Sequence, residues 1–275
     1  MSRPSIQLSR SLLESLYQKY NRLCFVHPDP IEKLYTYDRL EDREIAAWIA
    51  ASLAYGRVHQ ILKSIGIVLH LMGDSPYQYL REATAGEFRH DYSHFVHRFA
   101  TGAHIAGLMD GLKGLNLEYG TLGECFHSGI AKQDTNVLPA LGRLIDRIYD
   151  RVSGDPGHLL PRPERGSACK RLNLFLRWMV RQDRVDPGGW EAVSAAKLIV
   201  PLDTHMLLIG QMAGMTSRRQ GDMRAALEMT EKFKMFSPND PVRYDFALTR
   251  IGILGDPEFN ELRDWNEEKA EISFP

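Results

Sequence analysis

Cysteine is scarce in this chain. Three thiols, Cys24, Cys125 and Cys169, stand far apart in 275 residues. With an odd count and no Cys-x-x-Cys pair, they build neither a disulfide framework nor a four-thiolate iron–sulfur cluster, and they read as reduced thiols. Long hydrophobic runs are missing as well. The longest nearly apolar stretch, Ile45 to Tyr55, falls well short of the ~20 residues that span a bilayer. The opening Met1-Ser2-Arg3-Pro4 leads into no apolar signal core, so the expectation is a cytoplasmic protein with no membrane association. Nor does one sign of charge dominate. The 34 basic and 35 acidic side chains leave a formal net charge of −1, which excludes a polycation that coats nucleic acid without specificity. Strand patterns, internal repeats and low-complexity segments are lacking too, and the one extended apolar run is Leu198-Ile-Val-Pro-Leu202.

What is present is ordinary globular composition, 44% hydrophobic and 25% charged, enough to bury a core without disulfides or metals. Apolar residues recur at three- to four-residue intervals along most of the chain, which predicts an all-α fold. Ser9 or Ser11 can cap a first helix carrying Leu12, Leu13, Leu16, Tyr17, Tyr20 and Leu23, and Pro28-Asp29-Pro30 stops it. Asp42 is placed to cap a second, central helix that runs to Gly56 and is apolar nearly all round. Further helices are expected over 57–72, 75–83, 88–99, 103–118, 135–152, 167–182, 204–213, 222–235 and 241–252. Chain order suggests one compact unit over 1–275 with two helical lobes and a cleft between them: one lobe over about 40–155, the other built from 1–39 and 156–275.

Charge is uneven along this chain. Between Arg162 and Arg184 seven basic residues face two acids, and from Asp256 onward seven acids face two bases. This pattern suits a basic face offset by an acidic tail, and equally suits solvated helix surfaces. Within the basic stretch Lys170 falls in the first turn of a helix, where the positive end of the helix dipole and the neighbouring Arg171 both disfavour an ammonium. A nucleophilic lysine has to shed that proton. Asp203 follows the extended run and precedes a helix, so it can cap that helix while offering a carboxylate.

Pro201-Leu-Asp203-Thr-His205 resembles the proline, valine, aspartate, threonine, histidine signature of the helix-hairpin-helix DNA glycosylase superfamily. Gly166-Ser-Ala-Cys-Lys170-Arg-Leu-Asn is similar to the end of that family's hairpin, where a glycine stands four residues before the lysine. Residues 167–254 resemble a bacterial branch near the archaeal 8-oxoguanine glycosylases, and Trp48 to Arg57 resembles its central helix and following loop. One departure is plain. The usual hairpin reads leucine, proline, glycine, hydrophobic, glycine, whereas this chain reads Leu160-Pro-Arg-Pro-Glu-Arg-Gly166, without the second glycine.

The resemblance implies a two-lobed glycosylase-like fold acting on a damaged base, with an oxidised purine as one candidate, in double-stranded DNA. It makes Lys170 the nucleophile and Asp203 its electrostatic and acid–base partner. It also implies a substrate- or DNA-binding set: Arg165, Gly166 and Arg171 at the hairpin, Trp178 and Trp190 as pocket walls with Phe175, Tyr55 and Arg57 as the wedge, and His205 beside the aspartate. No cofactor, metal or obligate protein partner is expected. Two rivals stand beside this reading. One is a non-catalytic DNA-binding or partner-binding module. The other is a metal phosphohydrolase centred on His90-Asp91 with His94, His97 and His104.

Overall fold

A computed structural model describes residues 8–254, so the acidic tail after Asp256 lies outside the described residues. Within them the chain forms twelve α-helices and one two-stranded hairpin. The helices are α1 (Arg10–Tyr20), α2 (Leu40–Ser52), α3 (Val58–Leu71), α4 (Pro76–Glu82), α5 (Ala85–Asp91), α6 (Gly102–Tyr119), α7 (Leu122–Ser128), α8 (Leu138–Tyr149), α9 (Lys170–Val180), α10 (Thr204–Met212), α11 (Met223–Lys234) and α12 (Asp245–Leu254). Strands β1 (Val96–His97) and β2 (Ala100–Thr101) pair antiparallel, with Val96 opposite Thr101 and His97 opposite Ala100. The expected all-α class therefore holds.

Local chemistry sets the helix starts. Ser9, Ser75, Thr84, Thr121, Asp203 and Asp222 each accept a hydrogen bond from a backbone N–H of the helix that follows, filling one of the donors a helix start leaves open. Asp42 does not act this way. It lies inside α2, buried, and its Oδ1 accepts from Ser75 Oγ at 2.6 Å and Tyr77 N at 3.0 Å, tying α2 to the start of α4. Helix α2 ends at Ser52, and Gly56 serves the turn beyond it at φ +102°.

Helix α2 is the centre of the molecule. Ile45 through Ala51 are all buried, and the helix packs against α9, α3, α4, α7 and the 3₁₀ turn Pro30–Thr36. Helices α4 to α8 pack around α6, while α1 and α10 both rest on α12. One continuous apolar core joins these groups, from Leu13 of α1 to Ile251 of α12.

Two stretches differ from their apolar spacing. The expected helix over 88–99 stops at Asp91, and the chain turns into the β1–β2 hairpin. Close packing explains the break: a Cβ on Gly102 would fall 1.7 Å from the Tyr92 carbonyl oxygen, so the start of α6 presses directly on the turn. Leu198–Leu202 is extended and buried but joins no sheet; its Val200 N–H is taken by Thr230 Oγ1 of α11 at 3.0 Å.

Candidate active site

Two helix starts meet at the surface. Lys170 is the first residue of α9, and the chain enters it through Cys169, whose φ of +47° bends the backbone sharply into the helix. Asn173, one turn on and 1% exposed, donates its amide to Ala168 O at 3.0 Å and fastens that bend. Asp203 arrives from the buried extended run as the N-cap of α10, its Oδ1 accepting from Met206 N at 2.8 Å. Its Oδ2 lies 3.3 Å from Lys170 Nζ across 33 residues of sequence, with the two side chains 35% and 19% exposed. The pair is thus in contact and open to solvent.

Behind the pair, the same helix carries a buried ionic web. Arg177 reaches Asp245 at 2.5 Å and Asp186 at 3.0 Å, while Arg181 binds Asp186, Asp183 at 2.8 Å and Asp240 at 3.0 Å. Burial pushes the Asp245 carboxyl up to about 6 against the pull of Arg177, and the charge of the Asp203 carboxylate adds to the rise. The basic stretch Arg162–Arg184 is therefore not one face. Arg177 and Arg181 are 3% and 4% exposed and neutralised inside, and Arg162 pairs with Asp146 at 3.0 Å. Arg165, Lys170 and Arg184 remain accessible.

A second cluster adjoins α9 through Arg171. Its guanidinium donates to Ser52 O at the end of α2, at 2.6 Å, and to the His158 carbonyl, and lies 5.1 Å from the Tyr55 ring. A cation on the last carbonyls of a helix is favourable in its own right, and Arg171 accordingly clamps two segments rather than facing a ligand. Tyr55 is equally engaged: its hydroxyl donates to His97 O at 3.0 Å and meets His158 Nε2 at 2.8 Å. Burial holds both His97 and His158 below the usual histidine range.

A family model described as a protein of unknown function (DUF2400) matches residues 29–254, most of the chain and both helix starts. The chain belongs to the DUF2400 family. No curated protein and no solved structure matches it.

In this DUF2400 protein the other residues singled out from sequence are dispersed. Arg57 is exposed as the N-cap of α3, and His205 is exposed in the first turn of α10. Gly166 closes a 3₁₀ turn at φ +80°, and its carbonyl accepts from Met223 N at 3.0 Å. Trp178 and Trp190 are buried, 1% and 4% exposed. Trp190 donates to buried Glu44 at 2.6 Å and packs on Phe126 and Phe175, as expected of an amphipathic aromatic that finds a partner for its N–H. The Cys169 thiol is buried and pushed up to about 11, which keeps it inert. The histidine stretch separates: His97 binds Ser64 and Tyr55 O, His104 accepts from Thr101 N, and His90 meets Asp91. Among the described residues no group of three His, Cys, Asp or Glu side chains is placed to hold a metal ion, and no helix is long and apolar enough to cross a membrane. An open hollow of about 360 Å³ lies elsewhere, between the Pro30–Thr36 turn and α3, and is lined by none of these candidates. His158, which binds Tyr55 and Arg171, and Asp245, which binds Arg177, are residues that sequence spacing did not bring forward.

Proposed function

We propose that this DUF2400 protein is a DNA glycosylase and abasic-site lyase that removes a damaged base, with Lys170 as nucleophile and Asp203 as its acid–base and electrostatic partner. The observation that supports it is the 3.3 Å contact between Lys170 Nζ and Asp203 Oδ2, both partly solvent-exposed and each at a helix start. An amine must be unprotonated to attack, and a carboxylate in contact is the nearest acceptor for its proton. The Nζ–C1′ bond then forms as the glycosidic bond breaks and the base leaves with the electron pair. The carboxyl passes that proton to the departing base and, charged again, stabilises the positive charge that builds on the sugar. The nitrogen loses one proton to water, and the C1′–O4′ bond opens as O4′ takes up a proton, which gives the protonated Schiff base. Removal of a C2′ proton from it expels the 3′ phosphate, and no oxidant or reductant is needed.

Borohydride reduction tests this directly. Wild-type protein incubated with an abasic-site duplex and borohydride should give a covalent adduct, and Lys170→Gln should give none while remaining folded. If the wild type binds the duplex without adduct, the fold serves recognition alone. If Lys170→Gln still forms the adduct, another amine is the nucleophile and the reading fails.

A further inference from the structure

The turn between β1 and β2 is unfavourable for the fold taken alone. Arg98 occupies the first loop position of a two-residue hairpin at φ +55°, where glycine is the residue usually found. On either side Val96 and Phe99 hold apolar side chains in solvent, 69% and 73% exposed. Backbone strain and exposed apolar surface together are the mark of a segment shaped for a partner.

The stem under this tip is fixed. His97 is 3% exposed, with Ser64 Oγ at 2.9 Å on one ring nitrogen and Tyr55 O at 3.1 Å on the other. Tyr55 returns a bond to His97 O, and the Arg98 side chain lies over Gly56, where an added Cβ would meet it at 2.9 Å. The tip is linked to the candidate site through His158 and Arg171. The Phe99 ring stands 6.4 Å from the His158 ring, and the His158 carbonyl accepts from Arg171, the residue beside Lys170.

The surrounding charge fits a polyanion. Residues 45–73 and 92–109 contain no aspartate or glutamate, and within them Arg57, His59, His94 and Arg98 are exposed. Asp155, the acid nearest His158 in sequence, bonds Gly157 N at 2.8 Å.

We propose that the Arg98–Phe99 turn is a wedge: Phe99 enters the base stack of a duplex beside the nucleotide offered to Lys170, and Arg98 and Arg57 meet the flanking phosphates. The inference rests on the glycosylase reading for the choice of duplex DNA. Tyr55, tied down by His97 and His158, is then the wedge's support. Enzymes that act on a base must first unstack it, and a rigid aromatic at the gap holds the stack open.

The test places 2-aminopurine beside an abasic site in a duplex and compares wild type, Phe99→Ala, Phe99→Trp and Arg98→Gly. Wild type and Phe99→Trp should raise the emission. Phe99→Ala should lose the rise and about tenfold or more in duplex affinity, the scale of one lost base–aromatic stack. Arg98→Gly, which suits the turn, should stay folded and lower the salt slope of binding by about one contact. A single-stranded abasic oligonucleotide, which needs no unstacking, should be trapped equally by wild type and Phe99→Ala. Equal duplex affinity and emission for wild type and Phe99→Ala overturns the wedge even if borohydride adducts form. A Phe99-dependent rise with no adduct keeps the wedge and removes the lysine reading. Phe99-dependent binding to phosphatidylserine vesicles without duplex binding also overturns the proposal.

Discussion

The front and back of α9 carry the same chemical types in opposite settings. At its start Lys170 meets a single carboxylate in partial solvent, while Arg177 and Arg181 toward its end meet four carboxylates with almost none. Buried charges are tolerable only when fully paired, so the web at the back is saturated and has nothing to offer a ligand. A half-exposed pair makes a small contribution to folding and keeps donors and acceptors that a substrate can engage. Charge alone does not mark a site; spare bonding capacity at an accessible charge does.

The comparison breaks most visibly if the web is cut. Arg177→Met leaves the buried Asp245 without its cation and Asp186 with Arg181 alone, and should cost about 3–5 kcal/mol, read as a fall of about 10 °C or more in melting temperature. A loss below 1 kcal/mol would mean that the web is not structural.

The buried side of α9 should also carry proton linkage. Glu44 touches Trp190 there, and burial pushes it up to about 7 against three N–H donors. Because its folded value lies above the unfolded one of 4.5, the folded state holds the extra proton between these limits, and stability falls as pH rises from 4.5 through 7. Denaturant melts should therefore show the wild type losing about 3 kcal/mol relative to Glu44→Gln as pH rises across that window, since only the wild type has the group that titrates. A constant gap would show that Glu44 is ionised throughout.

At the front, effects should fall on rate. Asp203→Asn keeps the cap on Met206 N, so stability should drop by about 1 kcal/mol or less, whereas base release should slow on the order of a hundredfold. Equal base release would end its electrostatic role. The smallest change expected is the stability of Lys170→Gln, within about 1 kcal/mol of wild type by thermal melting, because it removes only a partly exposed ion pair.

Helices with one apolar stripe were legible, since α3, α6, α9 and α11 lie close to the windows their periodicity predicts. The hairpin was not. Phe88, Tyr92, Phe95 and Phe99 recur at helical spacing, and the contact that stops the helix comes from Gly102 against Tyr92, a tertiary event. Helix α7, as short as α4 but without the Ser-Pro start that marks α4, falls in no expected window. The Lys170 and Asp203 positions could be singled out because each sits at a helix start with local signals. Arg177 and Arg181, four residues apart, look from sequence like a solvated stripe, and one partner, Asp245, lies 68 residues from Arg177. Trp178 and Trp190 read as pocket walls because sequence gives an aromatic's type and not the side it faces.

The division of labour within Asp203 has a consequence for timing. One oxygen is held by the helix it caps and the other faces the lysine. On the proposed lyase reading, a substrate that draws the amine away leaves the cap in place, so the carboxylate's direction stays fixed while positive charge builds on the sugar. On that reading the reorganisation that water would require at that moment is completed during folding, with helix α10 as the mount that holds the Asp203 carboxylate in place.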